Sequence, residues 1–162
     1  MKFKTTLAIL DYPSPLTGDV FPLQIVEEAI EKTRLKLDGR LLLGALFDDL
    51  DMLKQPVNKT NLSPEDIEEL TIRRNLSYFR NRSNNLSHVI TDLYTEKDLW
   101  VAEIETLLTG KGLKLEALLS REKKPEELVK FRPVVLRNCS AGIVTSINQI
   151  VSIDAVVREM KN

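Results

Sequence analysis

The sequence predicts an α+β fold, a mostly antiparallel β-sheet or barrel with flanking helices, and three observations carry that prediction. An amphipathic helix stands out at Leu23 to Leu37, where Ile25, Val26, Ala29, Ile30, Thr33 and Leu37 recur at three- and four-residue spacing opposite Glu27, Glu28, Glu31 and Lys32. A hairpin stands out at Leu86 to Leu107, its second arm placing Trp100, Ala102, Ile104 and Thr106 on one face. The order of elements, β, α, β, a helical insert, a hairpin, α, then strands to the end, gives the class. With 162 residues, 43% of them hydrophobic, the chain has enough apolar material for one domain with a real core.

Taken in order, Lys2 to Leu10 is a first strand rich in Thr and aliphatics, and Asp11 to Pro22 is a loop punctuated by Pro13, Pro15, Gly18 and Pro22. The amphipathic helix follows and Gly39 ends it. Leu41 to Phe47 is a short apolar run interrupted only by Gly44. It enters through Gly and leaves through the acidic turn Asp48, Asp49 and Asp51, as a buried strand delivering polar groups to a sheet edge would. Residues 51–85 form a polar insert, in which Ser63-Pro64-Glu65-Asp66 is a helix start with an N-cap Ser and Pro at the first helical position. The insert's helix is expected from about Pro64 to Leu76.

The hairpin arms are Leu86 to Thr95 and Leu99 to Leu107, turning at Glu96-Lys97-Asp98. Thr109-Gly110-Lys111-Gly112 is read as a turn, and Leu113, Leu115, Leu118 and Leu119 as a short helix to about Ser120. After a charged connector, Arg121 to Lys130, three strands are expected at Phe131 to Leu136, Gly142 to Ile147 and Ile150 to Val157.

The charge balance narrows the function. With 23 basic and 24 acidic residues and a net charge of -1, nothing draws the whole chain to nucleic acid or an anionic membrane. A single Cys139 excludes an internal disulfide, and no apolar run approaches the length of a membrane span. No basic segment followed by a long apolar run opens the chain, so a reducing cytoplasm is the expected setting.

Four groups of residues carry possible chemistry. Nucleophilic catalysis needs a nucleophile, a base and an orienting group. The only histidine, His88, sits mid-strand; Ser140 and Cys139 lie in the turn Asn138-Cys139-Ser140-Ala141-Gly142, and Asp154 could orient the ring. The plainer reading of His88 is a strand histidine capped by a neighbouring hydroxyl or facing water. Asp48, Asp49 and Asp51 offer hard oxygen ligands but lack the spacing of a calcium loop, and solvated acids closing a strand are the simpler account. Arg73, Arg74, Arg80 and Arg82, interleaved with Tyr78 and Phe79, have the make-up of a phosphate-contacting and base-stacking segment, or of an exposed helix end docked through Leu76 and Phe79. Gly110-Lys111-Gly112 lacks the length and the following Ser or Thr of a phosphate loop. Cys139 is read as a small buried residue.

Leu16-Thr17-Gly18-Asp19-Val20-Phe21-Pro22, the helix with Ile25, Val26 and Ala29, then Gly39-Arg40-Leu41 and Leu43-Gly44-Ala45-Leu46 together resemble the opening of the prohead maturation proteases of tailed bacteriophages. The likeness continues through Ser87-His88-Val89-Ile90 with Trp100-Val101-Ala102-Glu103-Ile104, similar to that family's central hairpin, through its helix at Leu107 to Leu119, and to its last strand at Ile150-Val151-Ser152-Ile153-Asp154-Ala155-Val156. The resemblance implies a single domain over residues 1–162 similar to the prohead protease and herpesvirus assemblin barrel, decorated by the insert. It also implies serine endopeptidase chemistry, from which this chain departs. Where the family places its histidine, the chain reads Gly44-Ala45-Leu46-Phe47-Asp48-Asp49; an exposed Asp titrating near pH 4 is a poor base toward a serine hydroxyl. The family's Ser-Ser-Arg falls on Val135, Leu136 and Arg137.

A retained scaffold without either catalytic group is expected of a non-catalytic head protein, a capsid-associated auxiliary or cement protein or a scaffold-core component. It would need no cofactor and no metal. Its expected partners are the major capsid protein or other head proteins, with self-association possible and no membrane, and its place is the virion head or the host cytoplasm during assembly. Asp48, Asp49, Asp51, Arg73, Arg74, Arg80 and Arg82 are the expected contact surface. The competing expectations are an active maturation protease using His88, Ser140 and Asp154, and a nucleic-acid-binding accessory protein using Arg73 to Arg82, against which the neutral net charge counts.

Overall fold

The computed structural model describes residues 1–13, 18–47, 65, 83–121 and 128–157. Among them the chain forms two helices and a curled mixed sheet of six strands: β1 (Lys2–Ile9), α1 (Leu23–Asp38), β2 (Leu43–Phe47), β3 (Leu86–Glu96), β4 (Leu99–Thr106), α2 (Gly110–Leu119), β5 (Val129–Ser140) and β6 (Ile143–Val157). The strand order is β1-β4-β3-β2-β6-β5. Every ladder is antiparallel except β2 with β6, where Leu46 and Phe47 pair with Ala155 and Val156. The proposed helix of the insert lies outside the described residues, apart from an exposed helical Glu65.

Helix α1 buries Val26, Ala29, Ile30, Thr33 and Leu37, the stripe its spacing sets out, against β6 and β3. Its exit differs in detail from the expectation. Gly39 has an ordinary negative φ, and the left-handed residue is Arg40, at φ 56°. Leu41 N–H then reaches back to the Lys36 carbonyl at 2.9 Å, closing the last turn in the manner of a Schellman cap.

The hairpin of β3 and β4 turns through Lys97-Asp98, and Leu93, Trp100, Ala102 and Ile104 are fully buried in it. Trp100 meets Phe21 edge-on, with ring centroids 5.6 Å apart. Gly110-Lys111-Gly112 is not a turn but the first turn of α2. The Thr109 hydroxyl caps it by accepting from Gly112 N–H at 2.9 Å and donates to the Leu86 carbonyl at 2.8 Å, which pins the helix to β3.

The last three expected strands are two. β5 and β6 form one long hairpin turning at Ala141-Gly142, both with positive φ, the pattern of a tight primed turn. Its ladder shifts register three times. The residues skipped on β6 are Thr145, Asn148 and Val151, so the polar Asn148-Gln149 pair that looked like a strand break is a bulge within a continuous strand. The hairpin tip is held by the loop before α1: Val20 N–H donates to Gly142 O at 2.8 Å, Val144 N–H to Val20 O at 2.9 Å, and Arg137 pairs with Asp19. Cys139, expected to be buried, is exposed on this arm because its strand is an outer one.

β1 and β5 are the two ends of the sheet, and the curl brings them to face each other. Phe3 and Phe131 stack across the seam, centroids 5.9 Å apart, but no ladder joins the two strands among the described residues.

Candidate functional site

The most polar part of the interior lies where β2 runs between β3 and β6. Ser87, His88, Ser152 and Asp154 are all 0% exposed. β3 brings Ser87 and His88, and the β2–β3 register sets His88 beside Gly44. β6 brings Ser152, Ile153 and Asp154.

The ring of His88 is held on both sides. Its Nε2 lies 2.7 Å from the Ile153 carbonyl, which can only accept, so Nε2 carries the proton. In the neutral form of the ring Nδ1 is then the acceptor, and the Ser87 hydroxyl, 2.7 Å away, is placed to donate to it. Phe131 meets the ring edge-on at 5.6 Å. Gly44 makes this close approach possible: a Cβ there would stand 2.0 Å from His88 Nε2 and 2.2 Å from the Ile153 carbonyl oxygen.

The second half of the cluster stitches β6 to β2. Ala45 N–H donates to Asp154 Oδ1 at 3.2 Å. The Ser152 hydroxyl stands 2.5 Å from Asp154 Oδ1 and 2.8 Å from the Leu43 carbonyl, so its one proton is shared between two acceptors. The serine-to-imidazole contact has the polarity that general-base activation requires, but full burial leaves no room for a substrate carbonyl beside it.

The structure brings His88 and Asp154 into one cluster and leaves Ser140 out of it. Ser140 pairs with Ile143 at the exposed end of the hairpin. That is ten residues along β6 from Ile153, roughly 30 Å of strand. Asp48, Asp49, Asp51, Arg73, Arg74, Arg80 and Arg82 lie outside the described residues. Among the described residues, no three His, Cys, Asp or Glu side chains converge as a metal site would need. Ser87 and Ser152 were not singled out from the sequence. The signal was there for Ser87, a hydroxyl directly before the only histidine, whereas Ser152 read simply as a polar alternate of a strand, two residues before the Asp154 that the sequence did single out.

With this geometry in place, a comparison with solved structures finds the capsid assembly protease of bacteriophage T4, gp21. The match has a TM-score of 0.57 at 16% sequence identity and covers 96% of this chain and 80% of that one. The fold is prohead-protease-like. At that identity the likeness is one of fold. No protein-family model matches the chain, and no curated protein matches it.

Within this prohead-protease-like fold, Val135 and Leu136 lie on β5, opposite Ile150 and Gln149, and Leu136 is 54% exposed. Gly44 to Phe47 is buried strand throughout. Among the described residues, no helix is long and apolar enough to cross a membrane.

Proposed function

We propose that this chain is a non-catalytic, protease-like bacteriophage head protein, a capsid-associated auxiliary or cement protein or a scaffold-core component, that works through protein contacts. One observation carries the reading: the only histidine is sealed in the core, both ring nitrogens bonded to neighbours and no exposed surface of its own. A general base must reach both a nucleophile and the substrate's leaving group, and this one, buried together with the Ser87 hydroxyl it touches, has no surface at which a substrate could meet it. The aliphatic residues at Val135 and Leu136 point the same way, as does the absence of a histidine at Gly44 to Asp49. On this reading the whole chain is one domain carrying a polar insert at about 51–85. Asp48, Asp49, Asp51, Arg73, Arg74, Arg80 and Arg82 form the surface that meets the major capsid protein or another head protein. In a repeated shell even a weak contact is multiplied by multivalency.

A second reading has one observation in its favour, the 2.7 Å contact between Ser87 and His88: an active maturation protease that opens this pair on assembly. Mass spectrometry of purified mature virions and proheads separates the two. Intact chain at high copy in mature particles, unchanged in a His88→Ala background that still folds, supports the structural role. Fragments in proheads that disappear with Ser87→Ala or His88→Ala would replace it with the protease reading, and absence from both particles would defeat the head-protein assignment.

A further inference from the structure

Between α1 and β6 lies a cleft of about 220 Å³. That is below the roughly 300–1,000 Å³ of sites for drug-sized ligands and suits one small group. Its floor is apolar, with Ala29, Ile147 and Ile150 buried. Thr33 is buried there too, and its hydroxyl is spent on the Ala29 carbonyl at 2.7 Å. The walls are polar. Lys32 and Lys36 stand one turn apart on α1, and Asn148 and Gln149 come from β6, where Asn148 is the extra residue of a bulge. In a regular strand neighbouring side chains point to opposite faces, so the bulge is what lets both amides line one cleft.

None of these four side chains has a hydrogen-bond or ion-pair partner among the described residues, and the lining holds no carboxylate. The acids of α1 are engaged elsewhere: Glu27 accepts from the Thr95 hydroxyl at 3.2 Å, Glu28 from the Gln24 amide at 3.4 Å, and Glu31 pairs with Arg34 at 3.9 Å. Glu28 shares the face of Lys32 one turn nearer the N-terminus, but no ion pair joins the two. Asp38 is two residues past Lys36, about 200° round the helix. On the sheet side, Arg137, opposite Ile147, is paired with Asp19. The last carbonyls of α1, whose partial charge would repel an anion, are covered by bonds from Gly39, Arg40 and Leu41. The cleft therefore presents two ammonium groups from one wall and two carboxamides from the other.

We infer that this α1–β6 cleft binds a phosphate group, as inorganic phosphate or as the head of a small phosphate monoester, held by Lys32 and Lys36 from the helix and by the Asn148 and Gln149 amides from the bulge. A tetrahedral oxyanion offers acceptors to both walls at once, through charge-assisted bonds on the lysine side. A planar carboxylate has only two oxygens and leaves donors of one wall unmet. The bound group would tie α1 to β6 and stabilise the folded chain by mass action. The inference goes beyond the proposed head-protein role and shares no residue with its contact surface. It is tested on the isolated chain, so its failure leaves the virion result standing and the reverse also holds.

The experiment titrates inorganic phosphate, glycerol phosphate and acetate separately into the full chain, followed by backbone and side-chain amide NMR. Ionic strength is held fixed with chloride so that screening cannot pass for binding. Saturable shifts are expected at residues 29–36 and 147–150 and at the side-chain amides of Asn148 and Gln149, half complete at about 1 mM phosphate or below. Acetate should bind about tenfold or more weakly. Tighter binding of glycerol phosphate would assign the cleft to a monoester, and tighter binding of inorganic phosphate to the free anion; either supports the site. Asn148→Asp keeps the side chain's shape and exchanges its amide for a carboxylate, and Lys36→Gln removes one charge. Each is expected to weaken phosphate binding about tenfold or more while the rest of the spectrum stays native. Lys130→Gln, on β5, should leave the affinity unchanged. Shifts that climb without saturating, an equal response to acetate, or unchanged affinity in Asn148→Asp and Lys36→Gln would each overturn the assignment.

Discussion

Gly44→Ala is the sharpest test of the polar interior. The added methyl would sit 2.0 Å from His88 Nε2 and 2.2 Å from the Ile153 carbonyl oxygen, where no real Cβ is tolerated. One of those neighbours is backbone, and the other is a ring fixed at both nitrogens, so neither can swing aside cheaply. Forcing β2 away from them carries the overpacking cost of about 1–3 kcal/mol. Breaking the His88–Ile153 bond and leaving both partners buried adds about 1–3 kcal/mol more. Together about 2–6 kcal/mol is at stake, a large share of the 5–15 kcal/mol typical of a folded domain. Urea unfolding followed by tryptophan fluorescence, with Trp100 as the reporter, should show a lower midpoint at an unchanged slope. In a Gly44→Ala/His88→Ala chain the ring is gone but the carbonyl remains, so the loss should be less than the two single losses together by about 0.5–3 kcal/mol. If Gly44→Ala came within about 1 kcal/mol of the native chain, or the two changes simply added, the packing argued for Gly44 would be wrong.

Three further outcomes are expected. Ser87→Ala removes the donor to His88 Nδ1 without leaving a clash, so stability should fall by about 1–3 kcal/mol by chemical denaturation, and an unchanged midpoint would mean that the serine is not the imidazole's partner. Lys4 is held charged above the ordinary lysine value of 10.5, first by the Tyr94 hydroxyl and then by Glu96. Its contribution is therefore complete below 10.5 and fades as pH rises through the higher folded value; side-chain amine NMR should follow that titration, and Tyr94→Phe should bring it down. Cys139 should react with a thiol reagent in the native chain at close to the rate of an unfolded control, a result that a buried thiol would not give.

Much of the fold was legible because single elements bury one stripe or one face. Helix α1 and the β3–β4 hairpin follow their hydrophobic spacing to within a residue or two. What the spacing could not reveal is long-range. The β5–β6 bulges interrupt alternation at Asn148 without interrupting the strand, because the extra residue is absorbed by twist and not by a turn. The first turn of α2 hid behind two glycines, although Thr109 three residues before Gly112 is a capping signal in its own right. A lone glycine in an apolar strand announces a close approach, but only the register shows that His88 is what approaches Gly44. The cluster of Ser87, His88, Ser152 and Asp154 joins residues up to 67 apart in sequence, and no local pattern links them.

The cluster also has a structural reason to exist without catalysis. β2 is apolar on both faces, Ala45, Leu46 and Phe47 all being buried, so hydrophobicity does little to prevent a slip by one residue. Its neighbours are distant in sequence, and no tight turn sets its register. Three contacts supply what is missing: Ala45 N–H to Asp154, the Ser152 hydroxyl to the Leu43 carbonyl, and the close fit of Gly44 against His88 and Ile153. A one-residue slip breaks the first two and puts a side chain where only glycine fits. Buried polar groups that specify one arrangement at some expense in stability are known from other folds. The expectation here is that Ser152→Ala combined with Asp154→Leu leaves a folded chain in which the amides of Leu43 to Phe47 are broadened or doubled by exchange between registers. A single sharp set of those amides would show that β2 is positioned by its packing alone, and the four polar residues would then need another purpose.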